Sequence, residues 1–269
     1  MEIIGYCTSI LIGISLGMVG SGGSILTVPV LVYLMQVNPL LATTSSLFIV
    51  GVTSLVGGLR AYSKKLVDFK AVSEFGIPSI LSIFITRHYL LPAIHSPVFF
   101  IGHEPVSREM FLMIIFAVLM LGASISMIRS IPESTEKKAE DHPYKAFPVV
   151  LIGLAIGVIT GLLGAGGGFL IIPTLVLFLK IPMKTAVGTS LLVIAINSLF
   201  GFLFSLNQFT YNWPLILSFT VLAVTGIFIG SKLAEKIPAA SLKRGFGWFV
   251  MIMGVYIIVK ELLISQSAR

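Results

Sequence analysis

The sequence predicts an all-α, polytopic membrane protein made of two inverted repeats, and three observations carry that prediction. Of 269 residues, 56% are apolar and only 11% charged, where a soluble domain is about a quarter charged. The second half of the chain repeats the first at a constant offset. The loops that hold basic residues in one half are the loops that lack them in the other.

The 18 Lys and Arg and 11 Asp and Glu are too few to cover a soluble surface of this size, and the mean hydropathy of +1.03 agrees that lipid covers it instead. The net charge of +7 fits Lys and Arg retained in cytoplasmic loops. No basic stripe interleaves with aromatics, so nucleic acid is set aside as a partner. Cys7 is the only cysteine, which excludes an intrachain disulfide and a thiolate metal cluster. No motif calls for a cofactor.

An offset of 173 minus 29, or 144 positions, lays Gly17, Gly20, Gly22, Gly23, Leu26, Pro29, Leu31 and Val32 over Gly161, Gly164, Gly166, Gly167, Leu170, Pro173, Leu175 and Val176. Without a gap it then lays Ala42, Ser46, Leu47, Ser54, Leu55 and Gly57 over Ala186, Ser190, Leu191, Ser198, Leu199 and Gly201. Glycine and proline in fixed places make this a duplication rather than a coincidence of apolar residues. Residues 1–17 have a mid-chain counterpart, so they are expected to be structural and not a cleaved signal.

Each half divides into five apolar segments, expected as helices at 3–19, 24–36, 40–62, 68–91 and 107–129, and at 147–163, 168–180, 184–207, 212–235 and 243–264. The last three of each half reach the roughly 20 residues that span a bilayer. The second of each half, at about 13 residues and 1.5 Å per residue, covers only about 20 Å of a core about 30 Å thick. Residues 130–146, with Pro132, Glu133, Glu136, Lys137, Lys138, Glu140, Asp141 and Pro143, form a cytoplasmic linker between a first repeat, 1–129, and a second, 147–269.

Loop charges set the orientation. In the first half the turn between segments two and three has no Lys or Arg, while the next carries Arg60, Lys64, Lys65 and Lys70. In the second half Lys180 and Lys184 precede segment three, 207–213 has no basic residue, and Lys232, Lys236, Lys243 and Arg244 follow segment four. The halves therefore insert in opposite senses. Segments one and two must then return to the side they started from, as a hairpin tipped by glycines. The stretch 87–108, with two arginines, His88, His95, His103 and Glu104, falls outside by parity.

The hairpin tips are the candidate substrate site. They read Gly20, Ser21, Gly22, Gly23, Ser24 and Gly164, Ala165, Gly166, Gly167, Gly168. Irregular backbone at membrane depth is tolerated where it is buried in protein or lines a polar cavity, and helix N-termini there offer free N–H groups to an anion. Inverted repeats with broken helices are the pattern of transporter sites. Two tips facing each other would cradle an anion without a charged side chain; the competing reading is close helix packing alone. Hydroxyls and an amide on segment three, Thr189 among them, could donate to an oxyanion, and Ser46, Thr53 and Ser54, like Ser190, Asn197 and Ser198, are spaced to face inward. They could equally bond their own helices. No Asp or Glu lies near the centre of a spanning segment, so a buried-carboxylate proton relay is not expected. Arg60 and Arg87 lie near segment ends, where snorkelling to the interface is the expected role.

The chain lacks the strand context of a dinucleotide fold and the Lys of a phosphate loop. An intramembrane protease using Ser21 would need a base, and His88, His95, His103 and His142 lie in loops or at helix ends. Catalysis is not expected.

The strings 17–29 and 161–173, followed by Ala186-Val187-Gly188-Thr189-Ser190-Leu191 and the weaker Ala42-Thr43-Thr44-Ser45-Ser46-Leu47, resemble the TauE/SafE sulfite exporter family of membrane permeases. The likeness covers nearly the whole chain; Thr44 departs from it where the second half has Gly188. It implies export of a small sulfur oxyanion, sulfite or an organosulfonate, across the bacterial inner membrane. The partners implied are that anion and the lipid bilayer, with a homo-oligomer left open. An anion channel and a non-transporting scaffold are the rival functions.

Overall fold

A computed structural model describes residues 2–20, 23–101, 104–129, 146–164, 166–177, 179, 181–234 and 239–267. Linker residues 130–145, Ser21, Gly22, Ala165 and His103 lie outside the described residues, and the last linker position, Ala146, is instead the first residue of a helix. The helices are α1 Glu2–Val19, α2 Ser24–Pro29, α3 Pro39–Ser63, α4 Phe69–Ile85, α5 Leu91–Ala93, α6 Arg108–Arg129, α7 Ala146–Leu163, α8 Gly168–Leu177, α9 Met183–Leu203, α10 Trp213–Leu233 and α11 Ala239–Ser267. Two of them run on through a wider π turn: α2 into Val30–Leu34, and α4 through Thr86–Leu90 into α5. A short antiparallel ribbon, β1 Phe99–Ile101 with β2 Glu104–Val106, interrupts the helices. It belongs to the loop between α5 and α6.

Local chemistry starts the long helices. Asn38 accepts a hydrogen bond from the Leu40 N–H with Pro39 in the first turn. Asp68 accepts from the Ala71 N–H, and Asn212 from the Leu215 N–H. Each side chain thus satisfies an N–H that has no partner within the helix. Five stretches are long and apolar enough to cross a membrane: Pro39–Ser63, Phe69–Ala93, Arg108–Ser126, Met183–Gln208 and Trp213–Leu233. Their outward faces carry Ile77, Leu81, Val118 and Val221, all more than half exposed, a surface that only lipid would cover. Apart from the short ribbon, the described residues form a helical, multi-pass membrane protein.

Small residues set the helix pairs. Gly13 and Gly17 of α1 lie against the backbone of Ala223 and Ile227 on α10, while Gly226 and Gly230 lie against Ile10 and Ile14. Both numbers rise together, so α1 and α10 are parallel. On α7, Gly153 and Gly157 lie against Ser79 of α4, and Gly161 against Thr86 in the π turn that follows. The Ser79 and Ser82 hydroxyls donate to the carbonyls of Gly153 and Leu154. That pair is parallel too. In α3 and α9 the contacts run the other way: Leu47 meets Gly201, Gly51 meets Leu199 and Gly58 meets Leu192. These two central helices are antiparallel. Without a hydrophobic drive between helices in lipid, close backbone approach and interhelical hydrogen bonds hold such pairs. Every pair joins one half to the other, and exchanging the halves by 144 turns α1–α10 into α7–α4 and α3–α9 into itself.

The antiparallel core defines two ends. At one end Arg60 meets Ser231, Gly188 meets the Leu66 carbonyl, and the Asp68 N–H donates to Thr189 Oγ1. Lys64, Lys65, Lys70, Lys184 and Lys232 lie at or beside those positions in the chain. At the other, Phe48 stacks edge-on to Trp213, Phe84 packs on Phe204, and Arg87 reaches Thr44. These are called the Arg60 end and the Arg87 end below.

Candidate functional site

The glycine tips open alike in both halves and then diverge, Gly23 being right-handed at φ −63° where its equivalent Gly167 is left-handed. The Gly20 N–H donates to the Leu16 carbonyl and the Gly164 N–H to Thr160, both residues in the left-handed region at φ +81° and +68°. Leu26 and Leu170 then donate to Gly23 and Gly167. Gly166 and Gly167 are left-handed as well, at +67° and +64°. A side chain at these positions would be strained.

Their surroundings differ. A Cβ on Gly20 would meet the Val187 side chain, and one on Gly164 would meet the Thr43 backbone carbonyl. Thr43 and Val187 are equivalents in the first turns of α3 and α9, and these antiparallel helices begin at opposite ends. The described tip glycines are therefore staggered: Gly20 toward the Arg60 end, Gly164 toward the Arg87 end. Gly20 meets Ile172 of α8 rather than the other tip. Gly23 packs on the Ile12 carbonyl and Leu16, Ser24 is buried at the start of α2, and Gly168 is buried at the start of α8.

Of the segment-three candidates, four have structural partners, Thr53 Oγ1 donating to the Ile49 carbonyl of its own helix. Ser46 Oγ donates to the Gly164 carbonyl at 2.9 Å, tying the second tip to α3. Thr189 Oγ1 accepts from the Asp68 N–H at 2.9 Å. Ser190 Oγ bonds within its own helix, to Val187. Asn197 is different: it is wholly buried and neither its oxygen nor its nitrogen has a partner. Ser54, Ser198 and Thr160 are likewise buried with unpartnered hydroxyls. Gly166 approaches Ser198 Oγ, and Gly167 approaches Thr160 Oγ1. Leaving such groups unpaired costs about 1–3 kcal/mol each, so Ser198 and Thr160 beside the second tip are an expensive arrangement without a ligand.

The family model described as sulfite exporter TauE/SafE matches residues 6–257. The chain belongs to that family. It is 30% identical to a probable membrane transporter protein of Xylella fastidiosa over 92% of this chain and 91% of that one. It is 28% identical to the probable membrane transporter protein YunE of Bacillus subtilis over 93% of both. No solved structure matches. A TauE/SafE chain with these relatives is a membrane transporter.

Within this TauE/SafE chain one residue departs from its sequence reading. Arg87 does not snorkel: it is 0% exposed. The membrane stretch continues past it to Ala93, and the π turn Thr86–Leu90 carries it inward. Arg87 Nη1 donates to Thr44 Oγ1 at 2.9 Å, with Ser205 Oγ at 3.5 Å, while Nε and Nη2 have no partner. Tyr211 donates to the Ser205 carbonyl at 2.8 Å. The signal was present in the sequence: Val72, Phe75, Ser79, Ser82, Ile83 and Thr86 form a helical stripe on which Arg87 lies in phase, and all are buried.

Proposed function

We propose that the protein is a secondary transporter that exports a small sulfur oxyanion, sulfite or an organosulfonate, across the bacterial inner membrane by alternating access. The observation that carries this is the set of unpartnered buried donors at the second tip. The hydroxyls of Ser198 and Thr160 supply neutral hydrogen bonds beside Gly166 and Gly167, and with Asn197 Nδ2, next to Ser198 in the chain, they hold an anion without placing a permanent charge in the bilayer. On this reading Gly20, Ser21, Gly22, Gly23 and Ser24 form the equivalent half-site toward the other end, and each tip gates one side. No buried Asp or Glu stands among the described residues; the anion runs down its gradient or, as a weak acid, carries its own proton.

The antiparallel packing of α3 on α9 supports inverted repeats. The contact of Gly5 with Met35, at the two outer ends of the first hairpin, supports a return to the starting side. The lysine-rich Arg60 end is cytoplasmic on this reading. Cysteines placed by Lys65→Cys and Asn207→Cys, in a Cys7→Ser background, would then label from opposite faces of the membrane; labelling from one face overturns the topology.

Flux into proteoliposomes tests the function. Sulfite uptake is expected to saturate, to be inhibited by methanesulfonate and to be lost in Asn197→Leu. Absence of flux for sulfite, sulfonates, sulfate and chloride alike overturns the proposal, and conductance that never saturates replaces it with a channel.

A further inference from the structure

We infer that Arg87 is the cationic element of a second anion site, formed with Thr44 and Ser205 at the Arg87 end of the bundle and adjoining the second glycine tip. The inference deepens the proposed transport of an oxyanion and rests on it for the choice of probe. A guanidinium cannot lose its proton in a protein, and inside a membrane bundle such a charge pairs with a counter-charge or lines the path of one. Among the described residues no carboxylate lies against Arg87. Its contacts, Thr44 and Ser205, are neutral hydroxyls.

The geometry of what is left open is specific. Nη1 is committed to the two hydroxyls, whereas Nε and Nη2, which share one edge of the guanidinium, are both buried and unpartnered. That edge is the fork which takes two oxygens of one carboxylate, phosphate or sulfur oxyanion side by side. A π turn places the residue there, and such turns gather at functional positions in helices. The site also joins the one already described: Thr44 follows Thr43, on whose carbonyl Gly164 packs, and Ser46 one turn along holds the Gly164 carbonyl. An anion leaving the second tip toward the Arg87 end meets Arg87 next. Full burial within the bundle excludes a lipid headgroup, so the ligand is a small dissolved oxyanion.

The test is anion-dependent melting of the purified protein, followed by Trp213 and Trp248 fluorescence, with sulfite as the probe and sulfate and methanesulfonate in parallel. The wild type is expected to gain melting temperature with sulfite in a saturable way. Arg87→Gln is expected to raise the half-saturating concentration at least tenfold, Arg87→Lys less, and Arg60→Gln to leave it unchanged. Thr44→Val keeps the guanidinium and is expected to weaken binding several-fold, so it decides the matter if Arg87→Gln does not fold. A folded Arg87→Gln protein that melts lower but keeps the wild-type sulfite dependence overturns the inference and makes Arg87 a structural clamp. So does a wild type that responds to none of the three anions. Sulfite binding that needs Arg87 without any sulfite flux would overturn the transport proposal and leave this site standing; wild-type flux that Arg87→Gln preserves would do the reverse.

Discussion

The two ends of the α3–α9 pair are related by the duplication, yet they hold their arginines differently. The offset of 144 carries Arg87 onto Ser231 and Arg60 onto Phe204. At one end the guanidinium comes from α3, leans on Ser231 and lies over the Phe228 ring at 5.8 Å. At the other it comes from the turn after α4, donates its hydrogen bonds to α3 and the loop after α9, and is closed off entirely. Both ends keep one arginine and a serine hydroxyl, though not on equivalent helices. The backbone slots, glycine against helix, have been held in register while the charge has moved between them. Exposure then decides what each charge costs: Arg60 remains partly in contact with the surface, whereas Arg87 has exchanged water for two hydroxyls.

That contrast can be broken at its backbone first. Gly164→Ala should destabilise by more than about 3 kcal/mol, since a left-handed alanine costs about 1–2 kcal/mol and its Cβ meets a Thr43 carbonyl that cannot rotate away. Its equivalent Gly20→Ala should cost only about 1–2 kcal/mol, because the obstacle is the Val187 side chain. Melting and monodisperse yield of the two variants measure the difference. Next, Arg87→Met should leave the anion-free protein unchanged or stabilise it by about 1–2 kcal/mol, as apolar replacement of buried charge often does. Arg60→Met should stay within about 0.5 kcal/mol. A large loss of stability in Arg87→Met would show that its bonds to Thr44 and Ser205 outweigh the burial of its charge.

Smaller effects sharpen the comparison of the halves. Asn197→Leu removes two unpartnered polar atoms and should stabilise by about 1 kcal/mol. Thr53→Val, at the equivalent position, loses only a bond to the Ile49 carbonyl and should be close to neutral. Ser46→Ala should cost about 1 kcal/mol by stripping the Gly164 carbonyl of its donor. Ser190→Ala, its equivalent, should change stability by less than about 0.5 kcal/mol, because that hydroxyl turns back on its own helix. Equal costs for Ser46 and Ser190 would remove the asymmetry between the two tips.

The helices were legible because their signals are local. Apolar runs bounded by Asn38, Asp68 and Asn212 begin within a residue or so of where those caps place them. The repeat was legible because glycine and proline cannot drift without altering the backbone. What a hydroxyl does was not legible: Ser46, Thr189 and Ser190 read alike along the chain, and each found its partner in a different element. The stagger of the tips follows from which first turn each glycine meets, a tertiary fact. Arg87 was misread by its distance from the segment end, although its phase on the helix pointed inward; phase carried more information than position.

The parallel pairs α1–α10 and α4–α7 bear on motion. Each is joined backbone to backbone across the boundary between the halves, through Gly13, Gly17, Gly226 and Gly230 in one and through Gly153, Gly157 and Gly161 in the other. A rocking of one repeat against its sister would have to pull both seams apart at once. The bodies free to tilt are the seams themselves, each a chimaera of two repeats, turning about the α3–α9 crossing like interlaced fingers about the palm. The unit that was duplicated and the unit that moves are then different objects, and half of this chain expressed by itself would lack a partner for every long helix it contains.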